Sequence, residues 1–422
     1  MKTWITYLVA TFMGLATTLL LGQFETYITF IQSFSTLVIQ FGGFVLFPIV
    51  LITFTSGIAS LRKNGMGGRL AASTFVWSIL STLLLSFVGV FLFKVMPVSF
   101  PVTSSAGAGT SAVIEYIKTS FSLVKDVFEP INPFYSISAT QNFLLPIVLV
   151  AFLFGYFLKP SSDVIRPAYV IVNSFSEVMY KICRAYSLYG FAFVYILSAS
   201  FFATLQDEAT IFVAPNFVLK LILLTLSAIF IFLPLLFSIV TGFKENPYKI
   251  LYRTTAASLA GLFSANIFFA TPINFSLSRM NLGVQKRVSS TSISLTTIFA
   301  RGGSAMVSSF TIAALLYAAT NKVPEVSILI FIALFSALIS FISSAFLGFE
   351  VFFIIYFTLK ILSIDLYNAE MTVVGLIPLL CGLGTMIDVI IGALGAAISN
   401  IWILHKEKGL SQLIHVPYKN ML

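Results

Sequence analysis

The chain has 422 residues, of which 58% are hydrophobic and only 9% are charged, and its mean hydropathy is +1.01. This composition excludes a soluble globular protein, which needs far more polar surface to cover a core of this size. The formal net charge of +9 is carried largely by Lys and Arg in short loops, so it does not indicate nucleic-acid binding. The apolar runs are continuous rather than alternating, which favours membrane-spanning helices over a β-barrel.

Eight apolar segments predict spanning helices, because each approaches or exceeds the roughly 20 residues that cross a bilayer. In chain order the predicted spans are Trp4–Leu21, Phe41–Leu61, Leu70–Met96, Asn142–Phe157, Val170–Phe202, Ala214–Phe243, Val288–Tyr317 and Val373–His405. The first follows Lys2 and shares features with a secretory signal, but it is long for one and no clean cleavage site follows it. We therefore interpret it as a span. Cys183 and Cys381 lie in apolar segments and predict no disulfide.

Two further apolar stretches are interrupted internally. They are Pro247–Leu282, with Asn266 and Pro272, and Pro324–Leu362, with Ser343, Ser344, Gly348 and Glu350. Interrupted segments in matching places favour re-entrant helical hairpins around a transport site. Kinked ordinary spans are the alternative.

Cationic loops predict the orientation of the chain in the membrane. They follow spans two, four and six, precede span seven and close the chain, with Arg62, Lys63, Arg69, Lys159, Arg166, Lys244, Lys249, Arg253, Arg279, Lys286, Arg287, Lys406, Lys408 and Lys419. All of them fall on one side if the N-terminus starts there, so both termini are predicted to be cytoplasmic. The polar segment 97–141 is then extracytoplasmic.

The sequence contains no pattern typical of an enzyme. Segment 97–141 is the only sizeable extramembrane stretch, so no soluble catalytic domain is predicted. His405 and His415 lie near the C-terminal end, away from any carboxylate pair within the membrane. The chain has no metal-spacing cluster, P-loop or nucleophile elbow, which excludes an ATP-driven pump on this chain alone and predicts no cofactor.

A series of short motifs runs along nearly the whole chain. The motifs are Phe44–Val50, Ser56–Ser60, Asn132–Phe134, Asn142–Ile147, Met179–Ile182, Thr271-Pro272, Leu282–Val284, Thr385-Met386 and Gly392. Together, and in this order, they resemble the dicarboxylate/amino acid:cation symporter family, which includes the glutamate transporters. The resemblance implies an all-α integral membrane protein of the elevator-type glutamate-transporter fold. That fold has eight transmembrane helices plus two re-entrant helical hairpins and forms a homotrimer.

The resemblance also implies a fixed scaffold and a transport domain that slides across the membrane. Scaffold helices 1 and 2 would lie in residues 1–69, transport-domain helix 3 in residues 70–96, and the extracytoplasmic loop in residues 97–141. Scaffold helices 4 and 5 would lie in residues 142–205. Helix 6, both hairpins, helices 7 and 8 and the cytoplasmic tail would complete the transport domain in residues 206–422.

The chain departs from the family where the family holds substrate and sodium. The family's Asn-Met-Asp-Gly-Thr of helix seven is Ala300–Ser304 here, which removes a carboxylate and adds Arg301. In helix eight, Cys381 replaces an aspartate that grips a substrate amino group, and Gly384 replaces an arginine that grips a carboxylate. Asp388 replaces a sodium-binding asparagine, and the next sodium-binding aspartate is absent.

The hairpin tips differ from the family as well. The first tip, Ala265–Ala270, has no serine where the family carries a serine-rich run. The second tip, Phe346–Glu350, stands in place of a Gly/Pro-rich gate.

Two family carboxylates are absent, Asp388 adds one and Arg301 adds a permanent cation, so the local charge changes from about two negative to about neutral. Sodium requires several oxygen ligands, and charged ones are the most effective inside a bilayer. We therefore predict that sodium coupling is weakened or replaced. Arg301 would stand where a cation would sit and pair with Asp388, or it would only staple two helices together. Glu350 would be either a solvated carboxylate at the outer hairpin tip or a buried one that carries a proton.

The predicted site collects these positions. The substrate-binding candidates are Asn266, Thr271, Arg301, Gly302, Gly303, Ser304, Cys381, Gly384, Thr385 and Asp388. The coupling candidates, for Na+ or H+, are Arg301, Glu350 and Asp388, and the weak sodium candidates are Ser78, Ser81, Thr82 and Asp388. Hydroxyls in spanning helices more often bond their own backbone, and Asn266 and Asn274 would serve equally well as helix caps.

The predicted function is secondary active transport of a small organic solute, such as an amino acid or dicarboxylate, across the inner membrane by an elevator mechanism. The expected partners are the substrate, the lipid bilayer and two further copies of the chain, with no nucleic acid. The alternative is a degenerate family member that no longer transports, or only permits passive permeation, and has a structural or regulatory role in the membrane.

Overall fold

The computed structural model describes residues 2–63, 65–100, 144–159, 161–207, 215–362, 367–408, 413 and 416–422, and all regular structure in these ranges is helical. The helices before the first interrupted stretch are α1 Thr3–Leu21, α2 Glu25–Lys63, α3 Gly67–Val95, α4 Leu145–Phe157, α5 Arg166–Asp207 and α6 Pro215–Thr241, which has a π-helical turn at Ala228–Phe232. The remaining helices are α7 Pro247–Ser264, α8 Ile267–Met280, α9 Lys286–Phe299, α10 Gly302–Thr320, α11 Val326–Ile342, α12 Glu350–Ile361 and α13 Tyr367–Lys408. Most of segment 97–141, the Asn132–Phe134 motif and His415 lie outside the described residues.

Seven helical segments in the described ranges are long and apolar enough to cross a membrane. They are Thr3–Leu21, Glu25–Arg62, Gly67–Val95, Arg166–Gln206, Pro215–Thr241, Lys286–Thr320 and Gly375–Lys406. Each overlaps one of the eight predicted spans. The remaining prediction corresponds to α4, an apolar helix of 13 residues whose predicted start, Asn142, is not among the described residues.

The second helix begins well before the predicted Phe41. The late predicted start reflects the polar residues in this part of the sequence, which are typical of a segment outside a span. Their hydroxyls bond to backbone carbonyls of the same helix: Ser33 Oγ donates to Thr29 O at 2.8 Å, and Thr36 Oγ1 to Gln32 O at 3.1 Å. Because the helix itself satisfies these polar groups, it continues from Glu25 without a break.

The first interrupted stretch forms two contacting helices, α7 and α8, joined by Ala265 and Asn266. Ala265 has a left-handed backbone with φ 47°, and the Asn266 side chain caps α8 by accepting from the Phe268 backbone N–H at 2.8 Å. The predicted interruption at Asn266 is therefore present. The one at Pro272 is wrong, because Pro272 lies inside α8 and does not end it.

The second interrupted stretch forms α11 and α12, which also contact each other. Residues 343–349 join them, and Gly348 has φ 80°, a conformation that favours glycine. Glu350 is the first residue of α12. The rings of Phe346 and Phe353 stack with centroids 3.9 Å apart, so aromatic side chains fill this turn.

The helices associate in two groups. Helices α1, α2, α4 and α5 pack on one another, whereas α3 packs with α9, α10, α11 and α13. The groups meet where α2 and α5 contact α8 and α9. Burial differs sharply: 22% of the α1 segment is buried, against 83% of the segment that holds α9 and α10. The centre of the molecule is therefore built from the later helices.

The two termini lie together. The Thr3 N–H donates to Leu422 O at 3.3 Å, and Lys2 Nζ donates to Met421 O at 2.8 Å. Both ends of the chain consequently lie at the same end of the helical bundle.

Candidate functional site

The predicted span Val288–Tyr317 is broken at Ala300 and Arg301, between α9 and α10. The break lies close to α13, because a Cβ atom on Gly303 would lie 2.2 Å from Gly384 O. A Cβ atom on Gly384 would likewise lie 3.1 Å from the Cα of Ser304. The two glycines thus allow the first turn of α10 to meet the middle of α13, which places unpaired helix N–H groups in the buried centre.

Asp388 of α13 satisfies these N–H groups. Its Oδ1 accepts from the Gly303 backbone N–H at 2.7 Å, and its Oδ2 accepts from Ser304 Oγ at 2.8 Å. The side chain is fully buried. A carboxylate at a helix N-terminus is stabilised both by hydrogen bonds and by the helix dipole. Asp388 therefore acts as a cap that α13 supplies to α10.

Arg301 lies in the same break but makes few polar contacts. Its side chain is 0% exposed, and its Nη1 lies 3.5 Å from Glu350 Oε1. Within the described residues, none of its three guanidinium nitrogens has a hydrogen-bond partner. The predicted pairing with Asp388 is thus wrong: the ion pair of Arg301 is with Glu350, because Asp388 is directed at the N-terminus of α10 instead.

Glu350 is buried, so the interpretation as a solvated carboxylate at the hairpin tip is wrong. Its Oε2 accepts from the Gly348 backbone N–H at 2.9 Å, so the turn between α11 and α12 holds the carboxylate. Its Oε1 has no hydrogen-bond partner among the described residues. Half of this carboxylate is therefore held only by the charge of Arg301.

Other predicted substrate residues surround this centre to different degrees. Cys381 of α13 is buried. Thr385 is buried, and its hydroxyl has no partner in the described structure. The last turn of α7 approaches the same part of α13, since a Cβ atom on Gly382 would lie 2.4 Å from Leu262 O.

Two predicted residues have local roles that do not involve the charged centre. Asn266 caps α8. Thr271 Oγ1 bonds to Ile267 O at 2.7 Å and lies 3.2 Å from Thr297 Oγ1 on α9. Asn274 is not a cap, because it lies inside α8, and its Nδ2 donates to Val389 O on α13 at 3.1 Å.

The weak sodium candidates mostly bond their own helix. Ser78 Oγ donates to Thr74 O at 2.9 Å, and Ser81 Oγ donates to Trp77 O at 2.8 Å. Thr82 is buried, and its hydroxyl has no hydrogen-bond partner in the described structure. Among the described residues, no group of three or more His, Cys, Asp or Glu side chains is arranged to hold a metal ion.

Sequence reasoning missed a buried hydroxyl cluster between three helices. Thr74 Oγ1 lies 3.3 Å from Ser292 Oγ and 3.1 Å from Ser399 Oγ. The signal for it was the composition of α9, whose buried hydroxyl residues are Ser289, Ser290, Thr291, Ser292, Ser294, Thr296 and Thr297. So polar a segment inside a span indicates that it faces other helices and not lipid.

Comparison with known proteins agrees with this architecture. A family model described as the sodium:dicarboxylate symporter family matches residues 4–402, which is nearly the whole chain. This confirms the resemblance found in the sequence. A search among curated proteins gives no match.

Proposed function

The chain belongs to the sodium:dicarboxylate symporter family, and we propose that it is a secondary transporter for a small organic solute that bears a carboxylate, such as an amino acid or dicarboxylate. The membrane is the cytoplasmic (inner) membrane, with both termini on the cytoplasmic side. The cationic loops and the contact between the first and last residues support this orientation.

One observation carries the proposal: the buried guanidinium of Arg301 has no hydrogen-bond partner among the described residues. A buried charge is costly unless it is paired and hydrogen-bonded. In spanning segments, such charges mark substrate or ion pathways. Arg301 lies at a helix break beside the N-terminus of α10, and because Asp388 already caps that N-terminus, the guanidinium is the group that is left for a ligand. A carboxylate of the substrate is the ligand that this arrangement favours.

The same site supports weakened or absent sodium coupling. Both oxygens of Asp388 are already occupied by donors from α10. Ser78 and Ser81 donate to backbone carbonyls. Arg301 adds a permanent cation to the same buried centre, where it offsets the charge of Glu350 as a bound metal cation would.

The two helix groups support an elevator movement as part of this proposal. Helices α1, α2, α4 and α5 form the scaffold, and α3 with α6 to α13 form the transport domain that carries the site. This division uses the boundaries that the family resemblance implies, at residues 1–69, 70–96, 142–205 and 206–422. The scaffold would be shared in a homotrimer.

The first test is the thermal stability of the purified protein with a panel of amino acids, dicarboxylates and monocarboxylates. Each compound is measured with sodium and with potassium, and the ligands found are then tested for uptake into proteoliposomes. A ligand that binds the folded state raises the melting temperature. We expect a shift that is the same in both salts, followed by uptake of that ligand. A shift that requires sodium would refute the role of Arg301 as the charge-balancing cation.

A second candidate function is a family member that no longer transports. The observation in its favour is the turn between α11 and α12, where Phe346 and Phe353 stack in place of a flexible gate. Under this interpretation the Arg301–Glu350 pair only holds α12 against the break between α9 and α10 and binds no substrate. It predicts a folded protein whose melting temperature no member of the panel changes, and no uptake of any compound.

A further inference from the structure

We propose that the Arg301–Glu350 ion pair exchanges partners during transport: the carboxylate of the substrate replaces Glu350 on the guanidinium, and Glu350 takes up a proton from water. This inference rests on the proposed transport function and specifies its coupling ion and its substrate class. It assigns the proton to Glu350 and not to Asp388, the other coupling candidate.

The hydrogen bonds distinguish the two buried carboxylates. Asp388 accepts a bond on each oxygen, from Gly303 N–H and Ser304 Oγ, at 2.7 and 2.8 Å. Glu350 accepts one bond, from Gly348, and its second oxygen has no hydrogen-bond partner within the described ranges. Displacing Asp388 would leave the N-terminus of α10 without its cap, whereas displacing Glu350 breaks no hydrogen bond to Arg301.

The geometry of the pair indicates that Arg301 can change partner. The 3.5 Å between Nη1 and Oε1 is longer than the roughly 2.7–2.9 Å of a charge-assisted hydrogen bond. A guanidinium presents a planar fork of N–H donors that matches both oxygens of a carboxylate. A substrate carboxylate that used this fork would make bonds that Glu350 does not make, so it would compete well for Arg301.

Charge balance then requires the proton. The charged and titratable groups that face Glu350 are Arg301 from the break, and Asp388 and Cys381 from α13. Helix α11 contributes no charged or titratable side chain from Val326 to Ile342. A substrate carboxylate on Arg301 would leave three carboxylates beside one cation in a buried site. Protonation of Glu350 restores the charge of the ligand-free state, at about one proton for each carboxylate bound.

The same balance of charges in the buried site indicates the substrate class. A zwitterionic amino acid would bring its own cation and would need no proton. The family resemblance implies an aspartate that grips an amino group at the position of Cys381, and a thiol stands there instead of a carboxylate. We therefore infer an organic acid without an amino group.

Isothermal titration calorimetry of the whole protein tests this inference, in two buffers with different ionisation enthalpies. The probes are acetate, lactate, succinate and L-alanine. We expect wild-type protein to take up about one proton for each lactate or acetate bound, and affinity to fall about tenfold for each pH unit as pH rises. Glu350→Gln should bind the same probe without proton uptake and with an affinity independent of pH.

Glu177→Gln is the matched control, because it removes an ion-paired carboxylate of α5 outside this site. It should keep the proton uptake of the wild type. If Glu350→Gln does not fold, the wild-type proton count decides alone. Carboxylate binding or transport with no proton uptake, proton uptake that persists in Glu350→Gln, or tight binding of L-alanine alone would overturn the inference and leave the transport function standing. Absence of any ligand and of any uptake would instead refute the transport function, and this inference with it.

Discussion

Two clusters of arginine and carboxylate side chains lie in opposite environments. Glu177 on α5 makes ion pairs of 3.1 Å with both Arg279 and Lys286, and its side chain is 48% exposed. Arg301 and Glu350 are 0% and 1% exposed and lie 3.5 Å apart. The exposed cluster is held by hydrogen bonds and close ion pairs, whereas no hydrogen bond joins Arg301 to Glu350.

The difference separates structure from function. An exposed ion pair stabilises a protein by about 1 kcal/mol or less, because water screens the two charges. The Glu177 cluster therefore contributes little to the free energy of unfolding. A buried pair with unmade hydrogen bonds is costly to keep. The buried pair is therefore the one whose missing bonds favour a ligand. The following four changes test this contrast, from the largest expected effect to the smallest.

Arg301→Gln should have the largest effect. It leaves Glu350 buried without its counter-charge, so we expect the free energy of unfolding to fall by roughly 3–5 kcal/mol and carboxylate binding to be lost. Thermal denaturation with and without lactate measures both. The control is the double variant Arg301→Gln with Glu350→Gln, which should recover most of the stability but not the binding. A single variant that stays stable and binds lactate would remove Arg301 from the site.

Gly303→Ala should be destabilising by roughly 1–3 kcal/mol, because the added methyl group would lie 2.2 Å from Gly384 O and force α10 away from α13. Gly43→Ala in α2 is the control, since nothing lies within 4 Å of the position that its methyl group would take. Melting temperatures of the two variants measure the contrast. Equal melting temperatures would show that the contact between α10 and α13 tolerates added volume.

Asp388→Asn should have a smaller effect, about 1–2 kcal/mol. The amide oxygen can still accept from the Gly303 N–H, but the charge at the helix N-terminus is lost. Urea or thermal denaturation of the variant measures this loss. A decrease as large as that of Arg301→Gln would indicate that Asp388, and not Glu350, is the principal partner of Arg301.

Glu177→Gln should change the free energy of unfolding by about 1 kcal/mol or less. Salt screens exposed charges, so the wild-type melting temperature should fall slightly as salt is added, and that of the variant should not. Melting curves at two salt concentrations measure the effect. A large loss of stability would show that the contact between α5 and α8 depends on this carboxylate.

Much of the fold could be predicted from the sequence. Hydropathy is a local property, so apolar runs identified the spans, and Asn266 identified the turn between α7 and α8 as both an interruption and a cap. Predictions failed where a residue that usually ends a helix or a span has its polar groups satisfied, or its shape accommodated, by the helix itself. The hydroxyls at the start of α2 bond within their helix, and Pro272 is accommodated inside α8.

The sequence by itself determined the class of the protein, its family and the chemical identity of its unusual groups, including Arg301, Glu350 and Asp388. Only the tertiary structure decided how these groups pair. Glu350 and Asp388 are both carboxylates far from Arg301 along the chain, and nothing in their local sequence tells which one faces a guanidinium. The approach of α10 to α13 through Gly303 directs Asp388 to the helix N-terminus, and the turn at Gly348 brings Glu350 to Arg301.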